Sequence, residues 1–358
     1  MKSRFGVANK RMRDALAKVA PGTPLRDGID RIVRAQAGAL MVLCDDDEVL
    51  AICSGGFLVD APYSPQRLSE LAKMDGAIII STDGGRIARA NVHLVPDPSA
   101  PTSETGTRHR TAERVARSLN VQVVSASEER GVINVYAGGS KRELQEVGRL
   151  LDRANQALQT LERYKTRLDT AITKLTAAEV EDIATLRDVI AAVQRGEMVH
   201  RIADEIETMI IELGIDARLL RLQIDEIYGE IDNELELVVL DYVQTNRTVA
   251  ESLGDVSRLS DDQLRDLRDA AQAFFPGRDT ENLDQEASPR GLRLLHRVNH
   301  LPHETASVVA DHFGGLAKLQ RATLADLMTV DGVDEKTARA IRETLTRVTE
   351  STILDQYS

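Results

Sequence analysis

The chain has 358 residues, with 42% apolar and 28% charged residues and a net charge of −12, which is too long for one ordinary core and predicts two or three domains of a globular protein. No apolar run reaches the roughly 18 residues of a membrane span, and the opening MKSRFGVANKRMRDAL lacks the apolar core of a secretion signal, so membrane and exported classes are set aside and a cytoplasmic protein is expected. The two cysteines, Cys44 and Cys53, make neither a disulfide framework nor a zinc site and are expected as small core residues.

Residues 1 to 140 mix helix and strand signals. In TPLRDGIDRIVRAQAGAL, Thr23 is the expected cap, Pro24 the first helical residue and Gly38 the stop. ALMVLC and EVLAICSGGF come next, apolar runs joined by Asp45, Asp46 and Asp47, and predict a hairpin. SPQRLSELAKM predicts a short helix. AIIIST and RIARANVHLV flank Asp83-Gly84-Gly85, a second hairpin signal. NVQVVSAS and GVINVYAG again have strand character. The sum is an α/β domain built on a mixed sheet flanked by helices.

From Ser140 to Ser288 strand signals cease and apolar residues recur at helical spacing, as in LQEVGRLLDRANQALQTLERYKTRLDTAITKL. Residues 141–288 are therefore expected to form an all-α helical spine. Its later part, residues 181–288, carries 10 Lys and Arg against 26 Asp and Glu, the pattern of a solvated scaffold. FFPGRDTENLDQEASPRG reads as a linker. Residues 289–349 reverse the balance, with 9 basic residues against 7 acidic and four histidines, so the overall charge does not exclude nucleic acid for this segment. Here TVDGVDEKTARAI has the pattern of the second half of a helix-hairpin-helix element, with Gly332 in the turn. Exposed amides at such a helix start hold a DNA phosphate without reading sequence. Asp334 replaces the usual second glycine and would weaken anion binding. NHLPHETASVVADHFGGLAKL is a degenerate first copy with Pro302 in the turn position. Gly332, Lys336 and Arg339 are the candidate DNA-binding residues of a 289–358 domain, with Arg293, Arg297, Lys318 and Arg342 adding positive charge.

TSETGTRHRTAERVARSLN, residues 102–120, reads as a loop entering a helix, with Thr107 the expected N-cap, Asn120 the C-cap and Ala112, Val115, Ala116 and Leu119 on one buried stripe. It places Arg108, His109 and Arg110 in the first turn, where the helix dipole disfavours cations by roughly 0.3 to 1 kcal/mol each. Solvated surface charge is one explanation; an exogenous phosphate completing the helix end is the other. Asp75-Gly76, unlike the turn pair Asp83-Gly84, joins a helix to the strand AIIIST, which puts a carboxylate at a sheet end beside a glycine that lets a ligand approach the backbone.

MDGAIII, NVHLVP, GTRHRTAER and SASEER, in this order, resemble the diadenylate cyclase domain family, whose signatures are a DGA motif (Asp75, Gly76, Ala77) and an RHR motif (Arg108, His109, Arg110). With the spine and hairpin unit behind it, the chain resembles the cyclases of this family that also bind DNA and monitor its integrity. The resemblance implies condensation of two ATP molecules into cyclic di-AMP and two pyrophosphates. It implies that Arg108, His109 and Arg110, with Thr107 and Thr111, meet the triphosphate, and that adenine lies against the backbone near Gly76 and Leu94, with Ser127 and Gly55-Gly56 close by. Asp75 is then a ligand for Mg²⁺ (or Mn²⁺) or the acceptor of the 3′-hydroxyl proton, and Glu128 the second metal carboxylate. A two-fold symmetric product needs facing protomers, and such proteins are octamers. Branched or damaged DNA, bound without sequence preference, and a nucleoid-associated location are further implications. A non-catalytic ATP-sensing scaffold for DNA repair is the competing reading.

Overall fold

The computed structural model describes residues 7–129, 131–229, 231–244 and 246–356. Strands β1 (Ala39–Val42), β2 (Cys53–Ser54), β3 (Phe57–Pro62), β4 (Ala77–Ile80), β5 (Arg86–Leu94), β6 (Val123–Ala126), β7 (Ile133–Ala137) and β8 (Ser140–Glu143) form one sheet. Its order is β2-β5-β4-β1-β6-β7-β8, with β3 also paired to β5. β1 and β4 are parallel and the other pairs antiparallel, which makes the sheet mixed as the sequence predicts.

Helices α1 (Val7–Lys18), α2 (Pro24–Arg34), α3 (Asp47–Ala51), α4 (Pro65–Leu71) and α5 (Thr107–Ser118) pack on it. Alternate β1 side chains serve two cores. Ala39, Met41 and Leu43 pack with Leu16, Ile29 and Leu68 of α1, α2 and α4. Leu40, Val42 and Cys44 pack with Val49 of α3 and with Ala112 and Val115 of α5. Burial on both faces explains why β1 and β4 read as unbroken apolar runs. Cys44 is buried and Cys53 half-buried against the second core.

Local signals hold where a side chain closes its own turn. Thr23 Oγ1 accepts the Arg26 amide at 3.2 Å ahead of Pro24, and Ser64 does the same for Arg67 ahead of Pro65. Other expectations need correction. No hairpin forms at Asp45–Asp47: β1 is flanked by β4 and β6, and Asp46 leads into α3, whose first turn favours Asp47 and Glu48 electrostatically. α2 stops at Arg34, ahead of Gly38, because Gln36 already takes a left-handed φ of 51°. The cap of α5 is Gly106 rather than Thr107, and its C-cap is Leu119, with Asn120 next at φ 55°. Strand structure also extends past Ser140, as β8.

The helical region comprises α6 (Val147–Val180), α7 (Leu186–Leu213), α8 (Arg218–Tyr228), α9 (Ile231–Tyr242), α10 (Val249–Ser257), α11 (Asp261–Arg265) and α12 (Leu267–Phe274). Then come α13 (Leu292–Leu295), α14 (His303–Phe313), α15 (Leu316–Arg321), α16 (Leu324–Leu327) and α17 (Glu335–Gln356), closed around a core that includes Leu295, Val309, Leu319 and Ile341. Two compact units result, one of residues up to Gln156 with Glu205–Gln223, the other of Ala157–Asp204 with Ile224–Ser358. No helix among the described residues is long and apolar enough to cross a membrane.

Candidate functional site

A cleft of about 540 Å³ opens where β4, β5 and the start of α5 meet, and Asp75, Gly76, Ala77, Leu94, Thr107, Arg108 and Thr111 all line it. Seven residues singled out in the sequence thus share one wall system. Asp75 is fully exposed, accepts the Gly76 amide at 2.9 Å and stands 4.0 Å from Arg108 Nη2. An exposed pair at that distance contributes little to stability. The carboxylate is therefore not committed to holding the fold.

Gly76 has φ +103°, and a β-carbon there would come 2.8 Å from the Asn91 carbonyl carbon. β5 bulges at this point: its register against β4 shifts between Ala77 and Ile79, and Asn91 takes φ 55°. The floor of the cleft is consequently bare backbone flanked by the buried Leu94 side chain.

On the other wall, α5 begins with a glycine cap, so no side chain covers its first-turn amides, and no acid sits in that turn. The cation misfit read from the sequence is present in three dimensions. Thr111 Oγ1 donates to the Thr107 carbonyl at 2.9 Å, which leaves its oxygen as an acceptor. The loop entering the helix is held by Glu113 of α5, a buried carboxylate that accepts from Thr102 Oγ1 at 2.7 Å and from the Ser103 amide at 2.9 Å. His109 turns Nδ1 toward the sheet, 2.8 Å from Ser125 Oγ and 3.2 Å from the Tyr136 hydroxyl.

Other predicted residues lie outside the lining. Arg110 is exposed, and Ser127, Glu128 and Glu129 belong to the β6–β7 turn, where the Ser127 amide donates to the Val132 carbonyl at 2.9 Å. Gly55-Gly56 connects β2 to β3, and a β-carbon on Gly56 would come 2.7 Å from the Ala90 carbonyl oxygen. Among the described residues no group of three or more His, Cys, Asp or Glu is arranged to hold a metal by itself. Sequence reasoning gave no site role to Gly38, Asn91, Glu113 or Tyr136. Only Glu113 carried a signal, a carboxylate on the buried stripe of an amphipathic helix.

In the C-terminal unit Gly332 takes φ +80° between α16 and α17, and Lys336 is exposed in the first turn of α17. Asp334 accepts the Thr337 amide at 2.8 Å, and bonds from Thr337 hold its carboxyl below the ordinary range. A carboxylate thus takes a backbone amide at this helix start. Arg339 pairs with Glu335, and Arg342 Nη1 donates to the Ala322 carbonyl at 2.5 Å. Arg293 requires a correction: it is buried, paired with Glu179, and bonded to Thr176 Oγ1 at 2.9 Å, so it contributes to the core rather than to a basic surface.

Comparison with known proteins gives the same three parts. Residues 26–141 match the family described as DisA bacterial checkpoint controller nucleotide-binding, residues 144–282 the DisA bacterial checkpoint controller linker region, and residues 298–354 the helix-hairpin-helix motif. The DNA integrity scanning protein DisA of Streptomyces coelicolor is 49% identical over 97% of this chain and 94% of its own. That of Frankia casuarinae is 50% identical over 96% and 97%, and that of Kineococcus radiotolerans 49% identical over 97% of each chain. The bare-backbone cleft and the uncapped start of α5 lie within the residues that match the nucleotide-binding part, and at this identity over nearly its whole length the chain belongs to the DisA family.

Proposed function

We propose that the protein is a diadenylate cyclase that joins two ATP molecules into cyclic di-AMP with release of two pyrophosphates, and that its hairpin unit binds DNA. The observation that carries this reading is the convergence of Asp75, Gly76, Thr107, Arg108 and Thr111 on one cleft. In the reaction each ribose 3′-oxygen forms a bond to the α-phosphorus of the facing nucleotide, and the bond from that phosphorus to the β-phosphate oxygen breaks. Such transfer relies on positioning and charge stabilisation. In this reading the Arg108 guanidinium and the first amides of α5 neutralise the departing pyrophosphate, and Arg110 adds charge at the same helix end.

Asp75 stands opposite them as the carboxylate of the reacting centre. One carboxylate in the cleft is too sparse to cage an ion, which suits Mg²⁺ or Mn²⁺ completed by phosphate oxygens, and Glu128, exposed on the β6–β7 turn outside the cleft lining, is the second carboxylate of this reading. The ion would neutralise phosphate charge; Asp75 and Glu128 would hold it. Because the product is two-fold symmetric and each chain offers one such cleft, two protomers must face each other, and we assign the long helices to a homo-oligomer, an octamer. DNA bound at Gly332, Lys336 and Arg339 would modulate cyclase output.

Asp75→Asn separates this reading from that of a passive ATP sensor. Calorimetry should find ATP binding within about threefold of wild type, while cyclic di-AMP formation falls at least a hundredfold, the loss expected when a reacting-centre carboxylate is removed. Retained product formation would remove Asp75 from the reacting centre.

A further inference from the structure

Two histidines of the hairpin unit are joined ring to ring. His296 caps the end of α13 and His303 opens α14, and His296 Nε2 lies 2.7 Å from His303 Nδ1. The other nitrogen of His296, Nδ1, is 2.8 Å from the Leu292 carbonyl oxygen. A carbonyl only accepts, so this Nδ1 carries a hydrogen, and the states open to the pair follow from it. When both rings are neutral, His296 Nε2 is bare, the hydrogen between the rings belongs to His303 Nδ1, and His303 Nε2 is left as a lone pair. One added proton reverses that end. Whichever ring is counted as the cation, a single hydrogen lies between the rings and His303 Nε2 carries another, so the outer nitrogen becomes a donor. A second proton would set two N–H groups against each other at 2.7 Å, so the pair in this contact takes up only one.

His303 is exposed, and its Nε2 makes no bond to the described residues. It stands at the degenerate first hairpin, within the residues that match the helix-hairpin-helix motif. The second hairpin turn packs against the same place, since a β-carbon on Gly332 would come 3.8 Å from Thr305 Oγ1. We propose that His296 and His303 share a single proton and that, through it, His303 Nε2 makes a DNA-phosphate contact that is lost as pH rises. A bare nitrogen cannot bond a phosphate oxygen; the protonated pair offers a charge-assisted donor. Several charges on the surrounding elements are already matched: Arg293 of α13 pairs with the buried Glu179, Arg297 with Glu234 of α9 at 3.7 Å, and Arg339 with Glu335 of α17. Asp241 of α9 is taken up by the amides that start α13. Glu304 beside His303 favours the proton, as does Asp334 on the facing turn, whereas Lys336 and the positive end of α14 oppose it. A bound phosphate tips that balance, so binding takes the proton up.

This contact rests on the reading of the hairpin unit as the DNA site. It is tested on full-length protein with a rhodamine-labelled branched duplex, by anisotropy at constant ionic strength in EDTA, which removes metal ions as an alternative link between the rings. For wild type, Kd should rise roughly tenfold from about pH 6 to about pH 8, the worth of one charge-assisted hydrogen bond made by a histidine. Calorimetry in buffers of different ionisation enthalpy should find a proton taken up on binding, and no more than one. His303→Gln should bind at about pH 6 as weakly as wild type does at about pH 8, with a flat profile and no proton uptake. His303→Lys, a cation throughout that range, should restore the affinity and keep the profile flat. A slope or proton uptake that survives in His303→Gln would belong to another group, such as Asp241 or His300, and would overturn the proposal, as would a His303→Lys that binds no better than His303→Gln. Wild type that binds DNA with a flat profile overturns the proposal alone; wild type that binds no DNA at any pH overturns the DNA reading and the contact with it.

Discussion

The guanidinium of Arg108 lies over Gly38, where a β-carbon would come 1.9 Å from Nη1 and 2.6 Å from Cζ. The neighbour that must move is the tip of a flexible side chain, so Gly38→Ala displaces Arg108 without breaking the sheet. Kinetics on that variant should show KM for ATP raised roughly tenfold, about the worth of one charge-assisted hydrogen bond, with a thermal midpoint near that of wild type. An unchanged KM would mean that Arg108 does not meet ATP from its present position. In the sequence Gly38 reads as the end of α2, because a glycine after a helical pattern is the usual stop. Its actual contact is with a residue far along the chain, which no local pattern reports. Arg108 and Asp75 themselves were legible, since a cation at a helix start and a carboxylate at a sheet end break local rules that need only a few residues to see.

At two helix starts a carboxylate takes the free backbone amides. At α17, Asp334 accepts the Thr337 amide at 2.8 Å, at the turn proposed to meet DNA. Asp334→Asn keeps a capping acceptor and removes the charge, so fluorescence anisotropy should find DNA bound roughly two- to fivefold more tightly, the like-charge penalty at a helix end, with little change in stability. Weaker binding would place the DNA phosphates elsewhere. At α13, Asp241 accepts the Leu292 amide at 2.6 Å and the Arg293 amide at 3.1 Å. Burial, then the Glu179 charge, push its carboxyl up to about 7, against the opposing pull of Arg293.

A raised carboxyl binds its proton in the folded state at pH values where the unfolded chain has released it. The contribution of Asp241 to stability should therefore grow as pH falls from about 7 toward the ordinary value of 3.8. Thermal unfolding across that window should show the difference between wild type and Asp241→Asn shifting in favour of wild type at the acid end. A pH-independent difference would contradict the raised carboxyl. Arg293, beside it, reads as basic surface in the sequence because charge tallies are blind to burial; the buried Glu179 that neutralises it lies at the far end of a different helix. Strand and helix types along the first domain were legible from periodicity, whereas the expected hairpin at Asp45–Asp47 failed because three acids serve a helix start as well as a turn.

At the scale of the whole molecule, one chain carries one DGA element and one RHR element, of which Arg108 lines the cleft, while the proposed product contains two nucleotides related by symmetry. Cyclisation thus requires that protomers meet cleft to cleft, and it leaves the acidic helices without a chemical role. The order of parts, a mixed sheet with helices, long helices, then a hairpin unit, was legible because each has its own periodicity and charge balance. The polar contacts behind His109 were not, since the pairing of β6 with β7 brings Ser125 and Tyr136 together and Glu104 reaches Tyr136 from the loop before α5. The most direct test is to incubate the full-length protein with ATP and Mg²⁺ and analyse the products by mass spectrometry. Cyclic di-AMP accompanied by two equivalents of pyrophosphate is the predicted result; unaltered ATP would contradict the assignment of the cleft as a cyclase site.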